Sequence, residues 1–311
     1  MSIPGAMIWK GREVLFKYHR LLSGSGRYAP NSLSALEEVL DGARVIEFDI
    51  QPLADEDFVL LHDPVLEHET TGSGPVARAT RKVVKAMRLR GSEEPPALLS
   101  EAVEILGTVR RPVRVQVDFK PLLPVDGSMV KRVLDAIGPL RSNPMLEVVV
   151  GCLADWNLRA FRRADPTLSV GFDPALYLDV PVSDALGWPV RVNAYGYMDD
   201  HPLGFRRLMD VRDYLADRLE GLLGLLPGAV EVYLRKEFVQ QALRDGLNPV
   251  EYVKRVASGV RVDVWTVNLP PASPGELAAL LDAGVDQLTT DTAIQIASLW
   301  RGPGGVGLGA P

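Results

Sequence analysis

The chain contains a single cysteine, Cys152, in 311 residues. That excludes an intrachain disulfide and any multi-cysteine zinc site, and it fits a reducing compartment. A bound metal must therefore take oxygen or histidine ligands. Histidine is scarce as well, with four in the chain. A long Lys/Arg cluster is missing, and the formal net charge is -6, which argues against a nucleic-acid partner because phosphate-backbone affinity needs a basic surface. No apolar run reaches the roughly 18 uncharged residues of a membrane span. The opening MSIPGAMIWKGREVLFK lacks the basic end, apolar stretch and small-residue cleavage site of a signal peptide. The expectation is a cytoplasmic protein with no stable membrane insertion, built around a large core, since nearly half of its residues (47%) are apolar.

What is present is a rhythm. Short β-branched runs at 14–19, 44–50, 113–119, 146–152, 168–172, 229–234, 262–267 and 286–290 alternate with amphipathic stretches. Helices are expected at 32–42, with Ser32 as cap and Gly42 at the end, and at 273–284, capped by Ser273 with Gly284 closing it. Eight βα units in one chain of this length predict a (β/α)8 TIM barrel. The whole of 1–311 then reads as one barrel domain with a small insertion at about 63–97, after the second strand, and a longer one at about 174–228, after the fifth. The Gly-rich tail, about 302–311, is expected to be disordered. The run GLLGLL at 221–226 reads as part of a helix packed on the barrel.

In such barrels the chemistry sits at the C-terminal strand ends. Here those ends carry His19-Arg20, Glu47 with Asp49, and Asp118 with Lys120, while the extended segment DFVLLHD ends in His62-Asp63. Strand side chains alternate faces, so Glu47 and Asp49 share one side, as do Asp118 and Lys120, while Phe48 and Phe119 point the other way. Three carboxylates converging at one mouth would repel one another without a cation, and all-oxygen ligation suits Mg²⁺ or Ca²⁺. Arg20 and Lys120 add positive charge for a phosphate ester. His19 and His62 supply an acid and a base. Each feature alone has a plainer explanation: a structural histidine, a buried acidic pair, an i,i+2 ion pair. His68 and His201 fall in the insertions and read as surface residues.

The ordered set YHRLL, PNSLSALEEVLDGARVIEFDIQPLADEDFVLLHDPVLEHETTGSGPV, VQVDFK, VWTVN and GVDQLTTDTA resembles the glycerophosphodiester phosphodiesterases, members of the phospholipase C-like phosphodiesterase barrels. The resemblance implies metal ligation by Glu47, Asp49 and Asp118, acid–base roles for His19 and His62, phosphate contacts by Arg20 and Lys120, and an alcohol pocket lined by Trp265. It implies hydrolysis of small glycerophosphodiesters to sn-glycerol 3-phosphate and an alcohol. Three positions depart from the pattern. Leu21 stands in place of a glycine, which argues against a positive φ there; Pro30 replaces a glutamate; and Asp118 replaces a glutamate, as in the related sphingomyelinase D phospholipases. Two other readings remain open: a phospholipase D-like enzyme acting on lysophospholipids or sphingolipids, with the Leu-rich stretch as a greasy wall, and an inactive barrel that binds phosphate esters.

Overall fold

The computed structural model describes residues 2–178 and 210–299. Its strands are β1 (Ala6–Trp9), β2 (Arg12–Tyr18), β3 (Val45–Pro52), β4 (Phe58–Val59), β5 (Val113–Phe119), β6 (Leu146–Cys152), β7 (Val170–Phe172), β8 (Glu231–Arg235), β9 (Arg261–Trp265) and β10 (Gln287–Thr290). Eight of them, β2, β3 and β5 to β10, pair in parallel in chain order. The ring closes where Gln287 to Thr290 pair with Leu15 to Tyr18. This is the closed (β/α)8 barrel that the alternating pattern predicts.

The remaining two strands lie outside the ring. β1 folds back antiparallel on β2 through Lys10 and Gly11, both at positive φ, and β4 pairs antiparallel with the end of β3. The segment expected to extend up to His62 is thus a two-residue strand followed by a loop. The helices begin where their caps predict. Ser32 accepts from Ala35 N ahead of Leu33–Leu40, and Ser273 forms a capping box with Glu276 ahead of Pro274–Asp282, each cap worth about 1 kcal/mol. Gly284 follows at φ +93°.

Phe48 and Phe119 face outward into the layer between strands and helices, where Phe119 meets Phe161 edge-on at 5.3 Å between ring centroids. The helix Val211–Leu223 buries Leu215, Leu219 and Leu222 in that same core, joined by Leu226. Its leucines therefore pack the barrel, as expected, and leave none of these side chains for a greasy wall. Residues 63–97 carry a second small core of Leu66, Val76, Val84 and Leu89 with Leu53, Val59, Leu61 and Leu98. Most of the 174–228 stretch, with His201, and the whole 302–311 tail lie outside the described residues. No described helix is long and apolar enough to cross a membrane.

The barrel interior beneath the mouth is polar. Lys17, fully buried, donates to Gln116 Oε1 (2.6 Å) and pairs with Glu231 (3.1 Å) and Asp263 (2.9 Å). Burial by itself would discharge this lysine, but the two carboxylates raise its pKa and keep it charged.

Candidate active site

A cleft at the C-terminal ends of the strands is lined by His19, Arg20, Glu47, Asp49, His62, Asp118, Lys120 and Trp265. All eight residues singled out in the sequence thus come together. Alternation on β3 turns Glu47 and Asp49 inward, and the parallel register sets Asp49 beside Asp118. One oxygen from each of Glu47, Asp49 and Asp118 lies within 4.8 Å of the others.

These carboxylates are compensated unevenly. Lys120 Nζ bridges Asp118 Oδ2 (3.0 Å) and Asp49 Oδ1 (3.3 Å), and Arg20 Nε stands 3.4 Å from Asp49 Oδ2. Asn31 Nδ2 also donates to Asp49 Oδ2 at 2.9 Å. Although burial favours the neutral acid, Lys120, His62 and Arg20 hold Asp49 well below the usual carboxylate range. Glu47 forms no Lys or Arg ion pair among the described residues, and His19 draws its pKa down only in part. Glu47 accepts from the Arg20 backbone N–H at 2.7 Å, but burial and the adjacent Asp49 push its carboxyl up to about 8. A divalent cation would relieve that repulsion, so this all-oxygen donor set fits a hard metal.

The Arg20 N–H reaches Glu47 because the chain turns sharply after β2. His19–Leu21 form a single 3-10 turn, with Arg20 at φ 49° and Leu21 at φ 63°. The expectation that a leucine would avoid positive φ is corrected here. Full burial of the Leu21 side chain and the bonds Leu22 N to His19 O and Asn31 N to Arg20 O hold a conformation that costs about 1–2 kcal/mol for a non-glycine residue.

Each histidine is anchored from behind. His19 Nδ1 meets Asp291 Oδ1 at 2.7 Å, and His62 Nδ1 meets Asp63 Oδ1 at 2.8 Å. A carboxylate on Nδ1 selects the Nδ1–H tautomer and leaves Nε2 as the working nitrogen. Their environments differ. Burial alone would lower His19, but Asp291 and Glu47 raise it above the usual histidine value. Burial and the Lys120 ammonium lower His62.

Several contributors were not singled out in the sequence. Asp291 follows β10, and Asn268 holds its other oxygen through Nδ2 at 2.5 Å. Asp291 lies 272 residues from its histidine, and only ring closure brings the two together; the Thr-Asp of GVDQLTTDTA was the available signal. Gly151 on β6 leaves room for the site as well, because a Cβ there would stand 2.6 Å from Asp118 Oδ1 and 2.8 Å from Gln116 Nε2 and would make those side-chain ends shift. His68, expected as a surface residue, is exposed but bonds Asp63 Oδ2 through Nδ1 at 2.9 Å.

Comparison with known proteins bears on the family and the fold. Residues 19–170, which span His19 through the start of β7, match the model of the Glycerophosphoryl diester phosphodiesterase family. The chain is an enzyme of the glycerophosphodiester phosphodiesterase type. No curated protein matches it by sequence. Among solved structures, it is similar to a glycerophosphodiester phosphodiesterase from Parabacteroides distasonis, with 17% identity, a TM-score of 0.62, and 91% of this chain and 95% of that one covered. A phosphodiesterase from Oleispira antarctica, in complex with the product sn-glycerol-3-phosphate, gives 17% identity and a TM-score of 0.59 over 91% of this chain and 95% of that one. The glycerophosphodiester phosphodiesterase from Thermotoga maritima gives 15% and 0.57 over 93% and 99%. At these identities the structural likeness establishes a shared barrel, and the glycerophosphodiester phosphodiesterase assignment rests on the family match together with the motifs.

Proposed function

We propose that this phosphodiesterase hydrolyses glycerophosphodiesters to sn-glycerol 3-phosphate and an alcohol, with Mg²⁺ or Ca²⁺ held by Glu47, Asp49 and Asp118 and with His19 and His62 as acid and base. The observation that carries the reading is the convergence, in one cleft, of three carboxylates, two cationic side chains and two carboxylate-backed imidazoles. A cation bound by the three carboxylates would supply positive charge opposite the phosphoryl oxygens. Arg20 and Lys120 orient the same oxygens and share in neutralising the charge that grows on them.

His62, held below the usual histidine value, is the neutral imidazole near pH 7 and takes the proton from the attacking hydroxyl at Nε2. That hydroxyl is either water or the glycerol hydroxyl next to the phosphate. His19, held above it, enters as the imidazolium and gives its Nε2 proton to the leaving alkoxide. Trp265 and Leu153 also line the cleft, and the reading assigns them to the alcohol. The Oleispira relative, bound to sn-glycerol-3-phosphate as product, supports the choice of glycerol ester. The lone cysteine, Cys152, is free, which accords with a reducing, cytoplasmic setting.

A substrate panel tests the reading against the lysolipid alternative. With Mg²⁺ or Ca²⁺, glycerophosphocholine and glycerophosphoethanolamine should yield sn-glycerol 3-phosphate and the free alcohol at rates well above those for a long-chain lysophospholipid. Choline release from the lysolipid, with the deacylated diesters untouched, would overturn the proposal.

A further inference from the structure

The two imidazoles are backed by carboxylates whose second oxygens are held differently. Asp291 is fixed by Asn268, a neutral amide that donates Nδ2–H to Oδ2 and accepts the Asp291 backbone N–H at 2.8 Å. Asp63 is fixed by His68, whose Nδ1 lies 2.9 Å from Oδ2 and whose side chain is 63% exposed. One histidine of the site therefore has a partner of constant charge behind its carboxylate. The other has an imidazole open to solvent.

The turn that carries His68 is tied closely to His62. Glu69, the next residue, accepts the backbone N–H of both His62 and Asp63 at 2.8 Å, and Gln51 Nε2 holds the His62 carbonyl at 3.0 Å. The turn itself is closed by Thr70 N to Leu66 O and Leu66 N to Gly74 O. The start of the 63–97 insertion thus grips His62 by its main chain and, through Asp63, by its ring.

We infer that His68 is a positioning residue that acts through Asp63 on His62, fixing the carboxylate against Nδ1 and setting how strongly Asp63 supports a proton on the ring. The inference rests on His62 being the base. When His62 accepts a proton, the Asp63 anion stabilises the imidazolium; a positive charge on the far oxygen of Asp63 opposes that stabilisation. The groups facing His62 are Asp63 on its own segment, Lys120 just after β5, Asp49 from β3 and Arg20 from the turn after β2. Those facing His68 are Asp63 and Glu67.

The test is the acidic limb of kcat/KM for glycerophosphocholine between pH 5 and 8, with saturating Mg²⁺ or Ca²⁺, in the wild type and in His68→Asn and His68→Arg. Both substitutions can keep an N–H donor toward Asp63, and the exposed site does not endanger folding. Asparagine removes the possibility of charge, so the limb should move up by about half a pH unit; arginine makes the charge permanent, so it should move down by about as much. KM should stay within about twofold of wild type in both. Limbs that coincide with wild type, or that move the same way in both variants, would overturn the inference. A His62→Asn enzyme that stays active would overturn the base assignment and the inference with it, whereas an inactive His62→Asn enzyme with unmoved His68 limbs would remove the inference alone.

Discussion

Replacing His62 by asparagine should lower kcat by about 10²–10⁴-fold, the amount a single acid–base group ordinarily supplies, with the fold intact. Asparagine keeps a polar side chain of similar reach and can still donate toward Asp63, but it cannot accept a proton at neutral pH. The acidic limb of the pH profile should disappear with it. His19→Asn should cause a loss of the same order and remove the basic limb instead, because His19 begins as the imidazolium. His19 is raised and His62 is lowered relative to a free imidazole, so the proton favours His19 over His62, the order their roles require. Steady-state kinetics across pH, with circular dichroism to verify folding, decides the matter. Near-wild-type turnover in both variants would remove the two-histidine mechanism.

The second large effect concerns Asp49. Asp49→Asn keeps the size of the side chain but removes the charge that sits among Lys120, Arg20 and Asn31. Losing even a supporting partner of a metal ligand costs about 10–100-fold in affinity, and losing a ligand charge should cost at least that much. Calorimetric titration with Mg²⁺ and Ca²⁺ should show the weakened binding directly, independent of turnover. An unchanged affinity would mean that the three carboxylates do not form the metal site.

Much of this site was legible because strand chemistry is local. Glu47 and Asp49, or Asp118 and Lys120, two apart on an apolar strand, must share a face, and a barrel sends that face to the mouth. Ser32 and Ser273 announced their helices because a cap needs only its own first turn. What escaped depends on closure or on contacts made by neighbouring chain segments. Asp291 joins His19 only when β10 pairs with β2. The room that Gly151 leaves is taken by side chains on the adjacent β5. Leu21 shows the limit of a residue-type rule: glycine is the easy way to a positive φ, but a fully buried leucine side chain can hold the same turn. The β1 hairpin was missed for a humbler reason. Its strand has four residues, and the Lys10-Gly11 turn lacks the Asn-Gly or Asp-Gly pair that marks a two-residue hairpin.

The most direct test of a metal-dependent glycerophosphodiesterase is phosphorus NMR of glycerophosphocholine incubated with chelator-treated protein, before and after Mg²⁺ or Ca²⁺ is restored. The account predicts no change while the chelator is in excess, then growth of the sn-glycerol 3-phosphate signal as the cation returns. Full turnover by the metal-stripped protein would contradict it.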